Sequence, residues 1–196
     1  MKKEKLLDAA AASLMEKGLR RFSVDELSRN LHVSKKTVYE FFDSKKSLME
    51  SAVEHMLCKL ASDVESIAVN EPNALRGLVY SIMAGVRFFC MMPQHTYSDM
   101  RECAGCNEIV GKAAQRVEEL FSRYMERAAD DGYIEKGLNY EMVGNVIKAQ
   151  FTAQYVGDYD MNAILERIFN ILITIFYGIA TSKGKAELEN ILIKGL

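Results

Sequence analysis

Apolar residues recur along most of the chain at spacings of three and four, the period of an amphipathic α-helix. The sustained alternation of apolar and polar positions that marks a half-buried strand is missing. The pattern therefore predicts an all-α protein of about nine helices. Three short helices form a head, and the remaining helices form a bundle behind it.

The start of each head helix carries a local signal in the sequence. The first predicted helix has an apolar face that begins at Leu6, and it stops at Gly18, a residue type that favours helix ends. Ser23 and Ser34 each precede a short helix and are predicted N-caps, because a serine hydroxyl can accept a free amide of the first turn. Ser44 is the predicted N-cap of the long helix that follows.

The predicted bundle covers residues 47–196, and the head covers residues 1–46. Residues 94–108 are the least regular part of the bundle. Its last two predicted helices are Met142–Tyr155 and Asn162–Ala180, and the second of these is apolar nearly all round. Because a helix without a polar face must be buried on more than one side, this pattern predicts a second subunit as a packing partner.

The composition is that of an ordinary globular chain, with 196 residues, 49% hydrophobic and 27% charged, and a net charge of −2. Neither a signal peptide nor an apolar run long enough to span a bilayer is found, so the sequence predicts a cytoplasmic protein without a membrane partner. The charge is unevenly distributed. The first 46 residues hold eleven Lys and Arg against seven Asp and Glu, a net charge of +4, whereas the rest carries −6. A basic head on an acidic body predicts an anionic partner for the head.

The two short helices of the head are joined by Asn30-Leu31-His32-Val33, which is the spacing of a helix-turn-helix. Such a turn needs a residue that tolerates a left-handed backbone, and His32 occupies this position. Ser23 and Glu26 have the spacing of a capping box, in which each side chain accepts the other residue's amide. The second helix opens with Ser34-Lys35-Lys36-Thr37, which would place two cations and a hydroxyl group in the major groove of DNA.

Groups suited to phosphate contacts surround this recognition helix. Helix N-termini favour anions because their amides are free and the helix dipole is positive there. Tyr39, Lys45 and Lys46 flank the groove-facing segment. Double-stranded DNA is therefore the predicted partner of the head, and the predicted DNA-binding residues are Ser23, Ser34, Lys35, Lys36, Thr37, Tyr39, Ser44, Lys45 and Lys46.

The segments Phe22–Leu27 and Val33–Leu48 resemble the amino-terminal domain of TetR-family transcriptional regulators. The resemblance extends over roughly residues 5–55, and the rest of the chain resembles the family in length and helix order only. It implies a homodimer whose interface is made by the last two helices, and an effector pocket in the bundle. It also implies that Lys35 and Lys36 lie close to bases, and that four residues contact phosphates, namely Ser23, Thr37, Tyr39 and Lys45.

Methionine and aromatic residues on the inward stripes of central helices are candidates for the lining of an effector pocket, because these side chains form adaptable apolar sites. The predicted lining residues are Met83, Phe121, Tyr124 and Met125. The same residue types also build ordinary core. Gln150 and Gln154 interrupt an apolar stripe and need a polar partner, either a ligand or the other subunit.

A second hypothesis rests on the CxxC motif formed by Cys103 and Cys106. With Cys90 and His95 these residues could supply four ligands to a metal ion, or the motif alone could respond to oxidants. No strand precedes the motif and the spacing matches no standard zinc site, so buried or incidental thiols are the favoured interpretation.

The sequence as a whole predicts a ligand-responsive DNA-binding regulator, a repressor that a small-molecule effector releases from a palindromic operator. No cofactor is predicted. The alternatives are a metal- or thiol-responsive regulator, a small helical metal or CxxC enzyme, and a helical dimer that binds proteins only. The enzyme is disfavoured because the three histidines are scattered and neither an HExxH nor a GxSxG motif occurs.

Overall fold

The computed structural model describes residues 3–93, 95–153 and 161–194, and these residues form ten α-helices. Apart from one isolated bridge between Ile134 and Ala180, they contain no β-structure. The predicted all-α class is therefore confirmed. The helices are α1 (Lys3–Lys17), α2 (Val24–Asn30), α3 (Lys35–Tyr39), α4 (Lys45–Asn70), α5 (Ala74–Cys90), α6 (Thr96–Glu102), α7 (Ala104–Asp130), α8 (Tyr140–Ala153), α9 (Met161–Ile179) and α10 (Ser182–Lys194).

Two of the ten helices were not predicted, α6 and α10. The short helix α6 shows no apolar periodicity, because two of its three buried residues, Thr96 and Asp99, are polar and only Met100 is apolar. The predicted helix over Met142–Tyr155 corresponds to α8, and its last two residues, Gln154 and Tyr155, lie outside the described residues.

The chain divides into two compact units, and the first comprises the residues up to Ala61 together with Phe89–Ala114. Gly18 ends α1 with φ +74°, the left-handed conformation that glycine adopts at helix ends. Beyond it, Arg20 pairs through Nη2 with the buried Asp99 Oδ1 of α6 at 2.8 Å. The core residues of this unit include Leu6, Leu14, Phe22, Leu27, Val38, Phe42, Leu48 and Met100.

The second unit comprises Ser62–Phe88 and Gln115–Leu196. Thr181, between α9 and α10, donates its backbone amide to the Tyr133 carbonyl at 3.1 Å and its hydroxyl to the Gly132 carbonyl at 2.6 Å. These bonds hold the start of α10 against the turn that follows α7. The division into residues 1–46 and 47–196 is one of function, and it stays a prediction.

Helix α9 packs against α8 and α10 and buries one stripe, formed by Ile168, Leu172, Ile173 and Phe176. Its other side borders an open groove of about 680 Å³, lined by Ala163, Glu166, Arg167, Asn170, Ile171, Thr174 and Ile175. By length and composition alone α9 is also the one described helix that could cross a membrane. However, it carries Glu166 and Arg167 in its first half.

Candidate nucleic-acid interface

The turn between α2 and α3 has the geometry of a helix C-cap closed by a left-handed residue. His32 has φ +54°, the only positive value among the described residues other than glycine. Its amide donates to the Arg29 carbonyl at 3.1 Å, and the Val33 amide donates to the Ser28 carbonyl at 3.0 Å. This pair of bonds is the Schellman motif, which satisfies the last carbonyls of α2. The prediction that His32 makes the left-handed turn is confirmed.

His32 can be tested by substitution because its side chain is exposed and contributes little packing. We expect His32→Gly to raise the free energy of unfolding by about 0.5 kcal/mol, since glycine adopts positive φ without steric cost. His32→Val should lower it by about 1–2 kcal/mol, because a β-branched residue is strained in this conformation. Urea unfolding followed by circular dichroism measures both changes. Equal stability of the two variants would contradict the assignment of strain to this position.

Serine hydroxyls fix where the two helices begin. Ser23 precedes α2 with an extended backbone, and its Oγ accepts the Glu26 amide at 3.5 Å. Ser34 precedes α3 and accepts the Thr37 amide at 3.1 Å, while its hydroxyl also lies 2.9 Å from the Thr37 hydroxyl. Both predicted N-caps are confirmed, and they set the direction in which α3 leaves the turn.

The reciprocal half of the predicted capping box at Ser23 was wrong. The Glu26 carboxylate does not reach back to the Ser23 amide but accepts a hydrogen bond from the Lys17 ammonium of α1. This bond lowers the pKa of Glu26 and raises the pKa of Lys17. The contact links α1 to α2, and a partner nine residues away outcompetes the local one because the ammonium is charged.

The predicted DNA-binding side chains are accessible on the first unit. Tyr39 is 44% exposed, whereas Val38 and Phe42 are buried, so Tyr39 is not a core residue. Ser23 and Thr37 are half-buried, and the other predicted contacts are exposed, namely Ser34, Lys35, Lys36, Ser44, Lys45 and Lys46. The arrangement presents cations and hydroxyls at the amino ends of α3 and α4.

Two of the four predicted lysine contacts pair with carboxylates in the free protein. Lys35 pairs with Asp25 of α2, and Lys46 lies 3.8 Å from Glu50, one turn further along α4. DNA would have to displace these carboxylates. The sequence spacing was sufficient to find the second pair, because residues four apart share a helix face. The first pair joins α2 to α3 and has no local signal. In the part of the chain that the structure describes, Lys36 and Lys45 make no ion pair.

The four residues proposed from the sequence for an effector pocket lie in the second unit. Met83, Tyr124 and Met125 are buried, and Phe121 is half-buried with its ring against Gly144. The guanidinium groups of Arg123 and Arg127 both lie within 6 Å of the Tyr124 ring centre. None of the four residues borders the groove along α9. Their role as effector contacts stays a prediction, and Gln154, the second glutamine of the interrupted stripe, lies outside the described residues.

The metal hypothesis for Cys90, His95, Cys103 and Cys106 is not supported by the geometry. Over residues 3–93, 95–153 and 161–194, no three His, Cys, Asp or Glu side chains stand close enough together to hold an ion. Burial, with a smaller contribution from the neighbouring Cys103 thiol, raises the pKa of Cys106 to about 12. Burial also raises the pKa of Cys90.

A capped helix-turn-helix with an exposed, basic second helix, set before a set of longer helices, defines the fold of a DNA-binding transcriptional regulator. Residues 6–52 match the family model described as bacterial regulatory proteins, tetR family. The match bears out the predicted resemblance of the head to the amino-terminal domain of this family. No curated protein matches the sequence.

Solved structures share the fold over most of the chain. A TetR transcription regulator from Haloarcula marismortui has a TM-score of 0.75 at 14% identity, covering 91% of this chain and 97% of that chain. The TetR regulator SCO0520 from Streptomyces coelicolor has a TM-score of 0.69 at 18% identity, covering 92% and 99%. FadR from Bacillus subtilis, solved in complex with stearoyl-CoA, has a TM-score of 0.66 at 15% identity, covering 87% and 97%. At these identities the likeness concerns the fold.

Proposed function

We propose that the protein is a cytoplasmic, homodimeric repressor that binds a palindromic operator and is released from it by a small-molecule effector. The observation that carries the DNA-binding part is the amino end of α3. There, the His32 turn and the Ser34 cap fix the helix, and Lys35 and Lys36 are exposed. The amino end of a recognition helix is the part that enters the major groove, where a lysine donates to guanine O6 and N7.

Phosphate contacts would position the head on the duplex, while the two lysines read bases. Thr37 and Tyr39 present hydroxyl groups on α3 itself, and Lys45 and Lys46 open α4 next to the Ser44 cap. The Ser23 and Ser34 hydroxyls cap α2 and α3. We propose that they contribute to DNA binding indirectly, by stabilising helix ends whose free backbone amides can contact phosphates. Every group in this set donates hydrogen bonds or carries positive charge, as a polyanion requires.

A second copy of the chain supplies the symmetry that a palindrome needs. The open side of α9, with its mixture of Ile171, Ile175 and polar residues, fits an interface through the last helices of the chain. Two heads must stand about 34–36 Å apart to meet consecutive major grooves. An effector that prefers a state with a different spacing weakens operator binding by the ratio of its affinities for the two states.

The effector is proposed to bind among Met83, Phe121, Tyr124 and Met125. FadR of the same fold was solved in complex with stearoyl-CoA, whose acyl chain is apolar, which supports an effector with an apolar part here. The chemistry needs no cofactor and no catalytic residue, so we propose a regulator and not an enzyme.

The test is selection of DNA from a pool of random duplexes by the purified full-length protein at moderate salt, followed by sequencing. We expect a palindrome whose half-sites lie about one helical turn or a small multiple of it apart. Sedimentation of the protein with the selected duplex should give two chains per duplex. Native mass spectrometry shows whether the purified protein carries a ligand. If ligand-free protein selects no DNA sequence, the proposed function is overturned. Selection of one asymmetric site by a monomer would overturn the dimer.

A further inference from the structure

Cys103 and Cys106 stand one helical turn apart at the start of α7. The Asn107 amide donates to the Cys103 carbonyl at 2.8 Å, so Cys103 is the residue immediately before the helix and Cys106 lies in its first turn. Residues three apart at a helix start lie on the same face. The two cysteines therefore share one side of the start of α7.

The two cysteines differ in access to solvent, as the members of a reactive dithiol do. Cys103 is half-buried and open to small reagents, whereas Cys106 is fully buried. Burial raises the pKa of Cys106 to about 12, so this thiol keeps its proton. Cys103 stands immediately before the 27-residue helix and is the thiol of the pair that a small oxidant can reach.

The segment between the cysteines contacts the beginning of α4. The Glu50 carboxylate lies against Gly105 so closely that a Cβ at Gly105 would stand 1.9 Å from Glu50 Oε1. Glu50 also lies 3.8 Å from Lys46, and the charges of both residues act on Cys106. A movement of the first turn of α7 therefore changes the contacts of Glu50 and Lys46 in the first turns of α4.

We propose that Cys103 and Cys106 form a reversible dithiol–disulfide switch that reacts with hydroperoxides and displaces Glu50 and Lys46 at the start of α4. The Cys103 thiol gives its proton to the solvent, and its sulfur attacks one peroxide oxygen. The O–O bond breaks to give a sulfenic acid and, with hydrogen peroxide, a hydroxide that takes a proton back from the solvent and leaves as one water. The Cys106 sulfur then attacks the Cys103 sulfur. It loses its proton to the departing hydroxide, and the products are the disulfide and a second water. Two electrons pass from the sulfurs to the peroxide, and a dithiol reductant reverses the step.

Closing this disulfide requires a local movement. Helical residues three apart have Cβ atoms about 5–6 Å apart, whereas a disulfide holds them at about 3.5–4.5 Å. The first turn of α7 must therefore tighten, and Gly105, which lies within this turn, changes its position relative to Glu50. Since Glu50 has no spare room at Gly105, its carboxylate must leave this position and release or redirect Lys46.

The experiment uses the full-length Cys58→Ser/Cys90→Ser variant, which keeps only the pair. The reduced protein is treated with hydrogen peroxide, alkylated and mapped by mass spectrometry, and hydrogen exchange is measured on residues 44–54. We expect loss of both thiols, a Cys103–Cys106 disulfide that dithiothreitol reverses, and faster exchange at the start of α4 in the oxidised form only. The matched control adds Cys103→Ser, and it should form no internal disulfide and show no peroxide-dependent exchange. Absence of the disulfide, or identical exchange in both redox forms, would overturn the proposal.

The regulatory consequence rests on the proposed function, because Lys46 is one of its phosphate contacts. Because oxidation frees Lys46 from the carboxylate that DNA must otherwise displace, the oxidised form should bind about twofold or more tightly than the reduced form. The comparison uses a duplex obtained by the selection described above, or a mixed-sequence duplex. Equal affinity of the two forms would refute the regulatory role. If the reduced protein binds no duplex at all, the proposed function fails. The disulfide and exchange measurements, which need no DNA, still decide whether the switch exists.

Discussion

The Tyr39→Phe/Lys45→Ala double variant is expected to bind every duplex about 10–100-fold more weakly than the parent protein, whatever the base sequence. Tyr39 is 44% exposed, so its hydroxyl can reach a phosphate oxygen. Lys45 opens α4 and makes no ion pair with any described residue, so no bound carboxylate must be displaced before it contacts DNA. Removing both groups takes away contacts that carry no sequence information.

Fluorescence anisotropy at several salt concentrations, with a selected duplex and its scrambled counterpart, measures this effect. The loss should be the same for both duplexes, and the slope of log affinity against log salt should become shallower by about 1. Lys59→Ala is the matched control, because Lys59 is exposed on α4 roughly 20 Å beyond Lys45, and it should leave affinity nearly unchanged. Parent-like affinity of the double variant would contradict the phosphate assignment.

Lys36→Ala separates base contact from phosphate contact in the same assay. Because Lys36 lies in the first turn of α3, we expect its removal to weaken the selected duplex more than the scrambled one and to change the sequence recovered by selection. An equal loss on both duplexes would mean that Lys36 does not read bases.

The parts of the head that could be predicted from the sequence are those whose hydrogen bonds close within a few residues. The Ser34 cap and the His32 turn depend on atoms three to five positions apart, so residue type and spacing determine them. The Glu26–Lys17 and Lys35–Asp25 pairs cross between helices. Their partners depend on how the helices pack, which local spacing does not encode.

Burial and function are harder to separate in the second unit. Periodicity placed Met83, Tyr124 and Met125 on inward faces, and the structure buries all three. A ligand-lining residue and a core residue share this pattern, because both occupy the apolar stripe of an amphipathic helix. For α6, the rule that a buried helix face is an apolar stripe failed because the buried face contains polar residues. A stripe that contains Thr96 and Asp99 is not apolar, although it is buried.

Gly184→Ala is expected to produce the largest loss of stability of any substitution considered, about 3 kcal/mol or more. A Cβ at Gly184 would stand 1.9 Å from the Tyr133 carbonyl oxygen and 3.0 Å from the Ala180 Cβ. The carbonyl cannot move away freely because it accepts the Thr181 amide at 3.1 Å. The methyl group must therefore push the start of α10 away from the turn after α7. This movement strains the Thr181 contacts that hold the two together.

Thermal unfolding of the Gly184→Ala variant should show a midpoint roughly 6–12 °C below that of the parent, given about 2–4 °C per kcal/mol for a chain of this size. Gly111→Ala is the matched control. Gly111 lies inside α7 with nothing within 4 Å of its built Cβ, so alanine should raise stability by up to about 1 kcal/mol through helix propensity alone. Replacing glycine by alanine thus changes the free energy of unfolding in opposite directions at the two positions, because only Gly184 faces a fixed backbone atom. A parent-like midpoint for Gly184→Ala would mean that α10 does not pack on the Tyr133 carbonyl in solution.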